Sequence, residues 1–547
     1  MLELNADCLK KAGGAWSAAG VILPQFDCGE MSAYTKRNPI WLHFGAGNIF
    51  RGFIARLSQK LLNKGLVKSG IIAADTFDYD IIRKIYVPFD NLTLMVDLKA
   101  DGSMGYEVIG SVAEALCADS SSAEQMARLT DIAADPGLQM ISFTITEKGY
   151  TLKNMAGEYL PVVLEDMGAG PGKPRHAMSI AACLLYRRFL ENAAPIALVS
   201  MDNCSHNGEK LKSSVMEIAK AWNRNGFVGA DFLAYLDNEE KIAFPWTMID
   251  KITPRPATAV EERLRGLGIA GMGSVVTERN TFIAPFVNAE VPQYLVVEDR
   301  FPNGRPALEE AGVYMTSRDT VNKTERMKVT TCLNPLHTAL AVYGCLLGYT
   351  SIAEEMKDRH LKNLVCGIGY REGMPVVTHP GILNPTDFIR EVIEERLPNP
   401  FIPDTPQRIA TDTSLKIPIR FGETIKAYLA NPELDVRALT CIPLAIAGWL
   451  RYLLGVDDRG VKMDLSPDPM LDKLQEGLRG IEVGKPESCK GRLGGILSNT
   501  SLFAVDLCEA GLEDKIEKMF CELIAGPGAV RATLGKYCGQ TGKMPVM

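Results

Sequence analysis

The stretch Trp41-Leu42-His43-Phe44-Gly45-Ala46-Gly47-Asn48-Ile49-Phe50-Arg51-Gly52-Phe53 is a short apolar run, then two glycines, then a segment that can start a helix. Two glycines let a backbone turn tightly and bring its N–H groups close to a pyrophosphate at a helix N-terminus. The usual third glycine would fall at position 50, where the chain has Phe50. Asp75 ends the next apolar run, about 30 residues after Gly45, and a carboxylate there would accept from ribose hydroxyls and repel an extra phosphate. Asp78 competes for that role, and it equally suits an exposed loop carboxylate. Together these residues favour a nicotinamide dinucleotide, with NAD preferred over NADP.

Outward from this turn, more buried-strand runs alternate with helical patterns: Gly70–Ala74, Met140–Ile145 and Ile196–Ser200. Such alternation predicts a mostly parallel sheet covered on both faces. Strand signals thin out beyond Asn288. Amphipathic stretches take over at His337–Leu347, Pro380–Leu397 and Leu502–Ile524. The expected architecture is an α/β Rossmann-like domain over 1–287 and a mainly α-helical domain over 288–547, with the active site in the cleft between them.

The 547 residues have room for two to four domains, and 46% hydrophobic content is ample for large cores. A net charge of −7, spread along the chain, argues against nucleic acid as a partner. The acidic start, Met1 to Asp7, lacks a signal peptide's basic start and apolar core. The longest apolar run, Cys441–Leu450, is too short to span a bilayer. A cytoplasmic protein without membrane contact is expected. Thirteen cysteines include no Cys-x-x-Cys pair, so reduced thiols, with neither a disulfide framework nor a zinc site, are the simplest expectation.

The second informative stretch is Glu325-Arg326-Met327-Lys328, running into Leu333-Asn334-Pro335-Leu336-His337. It supplies a base, an amide donor and an imidazole, which is what metal-free oxidation of an alcohol requires. The chain resembles the polyol-specific long-chain dehydrogenases along nearly its whole length. The likeness is carried in order by Gly45-Ala46-Gly47 through Arg51, Thr144 to Tyr150, Asp202-Asn203 with Asn207-Gly208, Asp250 to Pro254, Arg305-Pro306, Lys328 to His337, and Arg408 with Asp412, Lys416 and Pro418.

The resemblance implies Lys328 as general base, its pKa lowered by burial or a nearby cation. It implies Asn203 and Asn334 as donors to the developing alkoxide, His337 as a substrate-orienting ring, and Glu325 as a proton route to solvent. Asp250, Arg408 and Lys416 would bind substrate; Gly45, Gly47, Asn48, Arg51, Asp75 and Thr146 would hold NAD, and no metal is implied. Asn203 would equally suit a turn, Asp250 a pair with Lys251, Arg408 with Lys416 a solvated face, and His337 a packed core.

The family usually places four residues between its Lys and Asn, and this chain has five. On an ideal helix the extra residue turns Lys328 about 100° away from Asn334 and His337. A bulge near Thr331, forced by Pro335, would absorb it. Alternatively Asn334 caps a helix that starts at Pro335. The implied substrate is a small sugar acid or polyol. D-mannonate and D-fructuronate are preferred, with mannitol or another polyol and tagaturonate as alternatives, and a dinucleotide-binding sensor without turnover as a different class. A sugar acid needs a cation for its carboxylate, and Arg371 and Arg420 are candidates. A monomer or small homo-oligomer is expected.

Overall fold

The computed structural model describes residues 1–539 and divides them into two compact units. The first holds Met1–Lys99 and Ser103–Asn322; the second runs from Lys323 onward and takes in Ala100–Gly102. The division therefore falls about 35 residues later than the expected 287/288 boundary. The reason is three strands with little sequence signal: Phe286–Glu290, Tyr294–Glu298 and Tyr314–Thr316. Tyr294–Glu298 pairs antiparallel with Thr247–Asp250 and parallel with Tyr314–Thr316, which ties this stretch to the first unit.

The first unit is built on six parallel strands: β1 (Trp41–Phe44), β2 (Ile71–Asp75), β3 (Val112–Cys117), β4 (Met140–Phe143), β5 (Ile196–Ser200) and β6 (Ile242–Ala243). Their order across the sheet is β6-β5-β4-β1-β2-β3. This is the doubly wound order, whose direction of winding reverses between β1 and β4.

Alternate residues feed two cores, which is why the strands read as continuous apolar runs. Leu42, Phe44, Ile72, Ile141, Phe143 and Leu198 join a core with helices Ala177–Glu191 and Asn207–Arg224. Trp41, Ile71, Ala73, Met140 and Val199 face the other core, with Phe53, Leu57 and Leu61. A second, four-stranded sheet, in which Thr93–Leu98 pairs antiparallel with Met104–Ile109, was not foreseen.

The second unit is helical. Helix Asn334–Leu347 crosses helix Cys441–Tyr452 closely, with the Tyr343 hydroxyl donating to the Leu444 carbonyl at 2.8 Å. A Cβ on Gly448 would lie 2.5 Å from the Tyr343 ring, so the crossing needs a glycine there. All twelve residues of Cys441–Tyr452 are buried, which explains the longest apolar run as core. No helix among the described residues is long and apolar enough to cross a membrane.

Two expectations are corrected in this unit. Leu502–Ile524 is not one helix: it breaks between Thr500–Phe503 and Glu513–Leu523, with Ala504 left-handed at φ 61°. And Cys489 is disulfide-bonded to Cys521, 32 residues away. No local spacing announces a pair brought together only by folding.

Candidate active site

In the first unit the site grows from the ends of β1 and β4, at the switch point. Gly45 has φ 100°, and a Cβ on it would run into the Thr144 carbonyl. Only glycine serves there, on conformation and on space. At Gly47 an added Cβ would meet nothing within 4 Å. The turn is closed on its Gly45 side and open at Gly47, as a cradle for a pyrophosphate requires.

Phe50 stacks on His43, centroids 4.2 Å apart, and the helix makes room for it through a π-helical turn over Phe50–Ile54. The close approach that a third glycine would provide has moved to Gly52, where a Cβ would sit 2.9 Å from Val287 Cγ1. His43 is fully buried between Ser142 Oγ at 2.6 Å and Thr144 Oγ1 at 2.8 Å. Burial pushes its pKa down to about 3, so the ring is neutral.

Asp75 ends β2 and is almost fully enclosed. Its carboxylate accepts from the Ala46 N–H at 3.0 Å and from the Phe77 and Asp78 N–H groups at 2.8 Å each. Burial outweighs these bonds and raises its pKa. Asp75 thus braces the glycine turn; Oδ1 accepts two of these bonds and Oδ2 one, so a spare lone pair remains on Oδ2 for a ribose. Asp78 is not an exposed loop carboxylate: it is buried and accepts from Thr277 and Thr281.

Arg51 calls for a correction. It is fully buried, donating to the Ala284 carbonyl at 2.7 Å and to Asn48 Oδ1 at 2.8 Å. It supports the turn from beneath and presents no surface to a ligand, and the Asn48 amide is tied to it.

Thr146 follows β4 in the left-handed region at φ 62° and is exposed. Asp202, after β5, holds that strained turn. Its carboxylate accepts from the Ile145 and Thr146 N–H groups, both at 2.9 Å, and from the Tyr150 hydroxyl at 2.6 Å. Asn207 bridges the Asp202 carbonyl and Thr247. Two stretches read separately in the sequence are therefore one hydrogen-bonded scaffold, and it positions Asn203. Asp250 is buried at the end of Thr247–Asp250. Lys251 turns instead to the Glu290 carbonyl at 2.5 Å, with its pKa pulled down to about 8 by burial first of all.

In the second unit Lys328 is 2% exposed and opens a π-helical turn over Lys328–Cys332. The Leu333 N–H donates to the Lys328 carbonyl five residues back, at 3.1 Å. A five-back bond accommodates one residue more than an α-turn. The extra residue between Lys328 and Asn334 is absorbed there, as the bulge reading expected.

The Asn334 cap alternative is overturned. Leu333 stands at the N-cap, Asn334 is the first helical residue, Pro335 follows it, and no side chain caps this end. The Asn334 amide is not spent on the helix. Glu325 is half-buried one turn before Lys328.

His337 Nε2 is buried without a hydrogen bond, with Asp404 Oδ2 at 3.6 Å. Burial lowers the His337 pKa to about 4; Asp404 opposes this, while Arg420, Arg408 and Arg396 add to it. The ring is a neutral imidazole at pH 7. Asp404 also pairs with the exposed Arg408, so it joins two residues that sequence reading had placed separately. Sequence reasoning missed Asp404, and only its position four before Arg408 hints at it.

Lys416 donates to the Ile409 carbonyl at 3.1 Å and to Thr411. Its pKa is drawn down to about 8 by burial and then by Arg420. Among the described residues no group of three or more His, Cys, Asp or Glu side chains could hold a metal ion.

Residues 39–310 match the Rossmann domain of mannitol dehydrogenase and residues 320–523 match the mannitol dehydrogenase C-terminal domain. The D-mannonate oxidoreductase of Thermotoga maritima is 54% identical over 541 residues, 98% of this chain and 99% of that protein. A mannitol 2-dehydrogenase of Emericella nidulans is 29% identical over 475 residues, 85% of this chain and 86% of its own. Among solved structures, Pseudomonas fluorescens mannitol 2-dehydrogenase in a ternary complex with NAD and D-mannitol matches with a TM-score of 0.69. It is 26% identical, and the match covers 98% of this chain and 99% of that one. A substrate-free D-sorbitol dehydrogenase, 24% identical with a TM-score of 0.78 over 94% of this chain and 98% of its own, shares the fold. With both of its units matched in order and a relative this similar along almost its whole length, the chain belongs to the mannitol dehydrogenase family of oxidoreductases.

Proposed function

We propose that this protein is an NAD-dependent oxidoreductase that interconverts D-mannonate and D-fructuronate, with Lys328 as the proton-transferring group. The observation that carries the reading is the π-helical turn at Lys328–Cys332. It compensates the extra residue in the Lys328–Asn334 spacing, and that spacing was the only feature favouring a sensor without turnover. The 54% identity to a D-mannonate oxidoreductase supports the choice of a sugar acid over a neutral polyol.

NAD, when bound, supplies the acceptor for the hydride that leaves the substrate carbon. Gly45, Gly47 and Asp75 are the residues we assign to holding it, with Thr146 at the rim. Arg51, fully buried beneath the turn, makes no direct contact with it, and the tied Asn48 amide acts only through the turn it supports. Lys328 Nζ takes the proton of the reacting hydroxyl as the carbon–oxygen bond becomes a carbonyl, and returns it in reduction. Asn203 and Asn334 donate to the oxygen while it carries negative charge, a task that a Lewis acid performs elsewhere. Neutral His337 orients a neighbouring hydroxyl through its unpartnered Nε2. Asp250, Lys416 and Arg408 bind the remaining substrate oxygens, and Glu325 passes the proton outward.

The reading is tested by following NADH oxidation with D-fructuronate, D-tagaturonate and D-fructose at neutral pH. Preference for D-fructuronate is expected. Preference for D-fructose would move the protein to the polyol branch.

A further inference from the structure

Two buried arginines of this protein are well supplied with acceptors. Arg188 donates to the carbonyls of Ala133, Asp135, Leu138, Ala194 and Pro195. Arg451 reaches the carbonyls of Leu523, Val456 and Asp457. Arg420 differs. It lies in the middle of a π-helical turn, Pro418–Gly422, that packs against both the Lys328–Cys332 turn and helix Asn334–Leu347. Its side chain is half-buried, and among the described residues its one protein acceptor is the Thr338 hydroxyl, at 2.5 Å from Nη1. A guanidinium carries five N–H donors in a planar fork, so most of this fork has no protein acceptor.

A partly desolvated charge without a counter-ion is still costly, and among the described residues no acid pairs with this one; burial brings the Arg420 pKa down to about 10. The other cations nearby are already matched or bonded. Arg408 pairs with Asp404, and Lys416 is held by two carbonyls. Arg420 also adjoins the residues that would handle the substrate. Thr338 follows His337 in the chain, and Arg420 is close enough to depress the pKa of both His337 and Lys416.

The other candidate from the sequence, Arg371, has a different setting. It lines a cavity of about 250 Å³ with Glu372, Tyr428, Cys441 and Tyr537. Its Nη2 lies 3.6 Å from Cys441 Sγ, and its charge acts on the buried Glu372 carboxylate.

We propose that Arg420, steadied by Thr338, is the carboxylate-recognising residue of this enzyme, accepting the acid group of the sugar acid on its free N–H fork. Two parallel N–H···O bonds would supply the counter-ion the site lacks and would set sugar acids apart from neutral polyols. The inference rests on the proposed sugar-acid activity and deepens it.

The test compares the full-length protein with Arg420→Met, Arg420→Lys and Arg371→Met, measuring kcat and KM for D-mannonate and for D-mannitol with NAD. NADH affinity is measured alongside to confirm that each variant is folded. In Arg420→Met, kcat/KM for D-mannonate should fall by about 100-fold, chiefly through KM, and by a much larger factor than for D-mannitol, so that the preference for the acid over the polyol is lost. Arg420→Lys should recover part of the loss, since it keeps a point charge without the fork. Added guanidinium ion, at concentrations that do not unfold the protein, should restore D-mannonate turnover in Arg420→Met and leave wild type unchanged.

Equal losses on both substrates, no preference lost, or the preference abolished by Arg371→Met instead would each overturn the role of Arg420. A wild-type protein that does not oxidise D-mannonate would overturn the proposed function itself, and the inference with it. That result is separate, because it appears before any substitution is made.

Discussion

The glycine turn of the first unit and the Lys328–His337 segment of the second solve one problem by different means. Each must place a few polar groups at a helix start to within about 0.5 Å. The glycine turn does it by subtraction. Gly45 has no side chain because Thr144 leaves no room, and Asp75 locks the Ala46 N–H. The Lys328 segment does it by addition: one extra residue taken up as a π-helical turn, then a break at Leu333.

The same device recurs where charge is carried. Arg51, Lys328, Arg371, Arg396 and Arg420 all lie in π-helical turns. A π-turn rotates one side chain out of the α-helical register without ending the helix. Glycine turns are recorded in residue identity, whereas π-turns are recorded only in spacing.

The contrast can be broken most severely at Lys328. Lys328→Ala should reduce turnover by a factor on the order of 10³ or more while leaving NADH affinity within about twofold of wild type, as steady-state kinetics and fluorescence titration would show. Retained turnover would remove the second segment from the chemistry.

At the other pole, Gly45→Ala should destabilise the first unit by about 3 kcal/mol through strain and overlap with the Thr144 carbonyl, seen as a lower Tm. Gly47→Ala should leave Tm unchanged, because its Cβ enters open space, yet weaken NADH binding by roughly tenfold if a phosphate sits there. Loss of Tm in both variants would mean that the open side of the turn is not a cradle.

The covalent tie of the second unit gives a comparable effect on stability alone. Reducing the Cys489–Cys521 bond, or Cys489→Ser, frees a 32-residue loop and should lower stability by about 3–4 kcal/mol in the chain-entropy account. Activity at 25 °C should persist, measurable by denaturant titration beside an assay.

The smallest effect is on pH. His43 and His337 sit below the ordinary value of 6.5, at about 3 and about 4. The unfolded chain therefore binds more protons than the fold as pH drops below 6.5, and stability should fall between about pH 6.5 and 4. Replacing His337 with Gln should flatten the upper part of that fall. An unchanged slope would mean that its imidazole is not buried neutral.

Much of the first unit is legible in the sequence. Trp41–Phe44, Ile71–Asp75, Met140–Phe143 and Ile196–Ser200 read as strands because a parallel sheet buried on both faces needs unbroken apolar runs. The strands Tyr294–Glu298 and Tyr314–Thr316 did not, since they are short and sit among loop residues, so the domain boundary was placed too early. In the site, Lys328, Asn334 and His337 were visible as a cluster and Gly45 as a turn. Arg51 was misjudged because a buried structural arginine and a phosphate-binding one look alike in sequence. Asp202 stands in a recognisable motif, but its task of holding the left-handed Thr146 depends on two loops meeting.

By itself, then, the sequence determined the order of elements, the glycine turn and the family, because these rest on local patterns: which residues are apolar, where a Cβ is absent, which motifs follow one another. Only the tertiary structure decided whether the extra residue before Asn334 was a defect or a π-turn. It also decided which cysteines pair, and which arginine keeps most of its fork without a protein acceptor. Those questions turn on contacts between segments tens of residues apart, such as Thr338 with Arg420, Asp404 with His337 and Cys489 with Cys521, and such contacts exist only after the chain has folded.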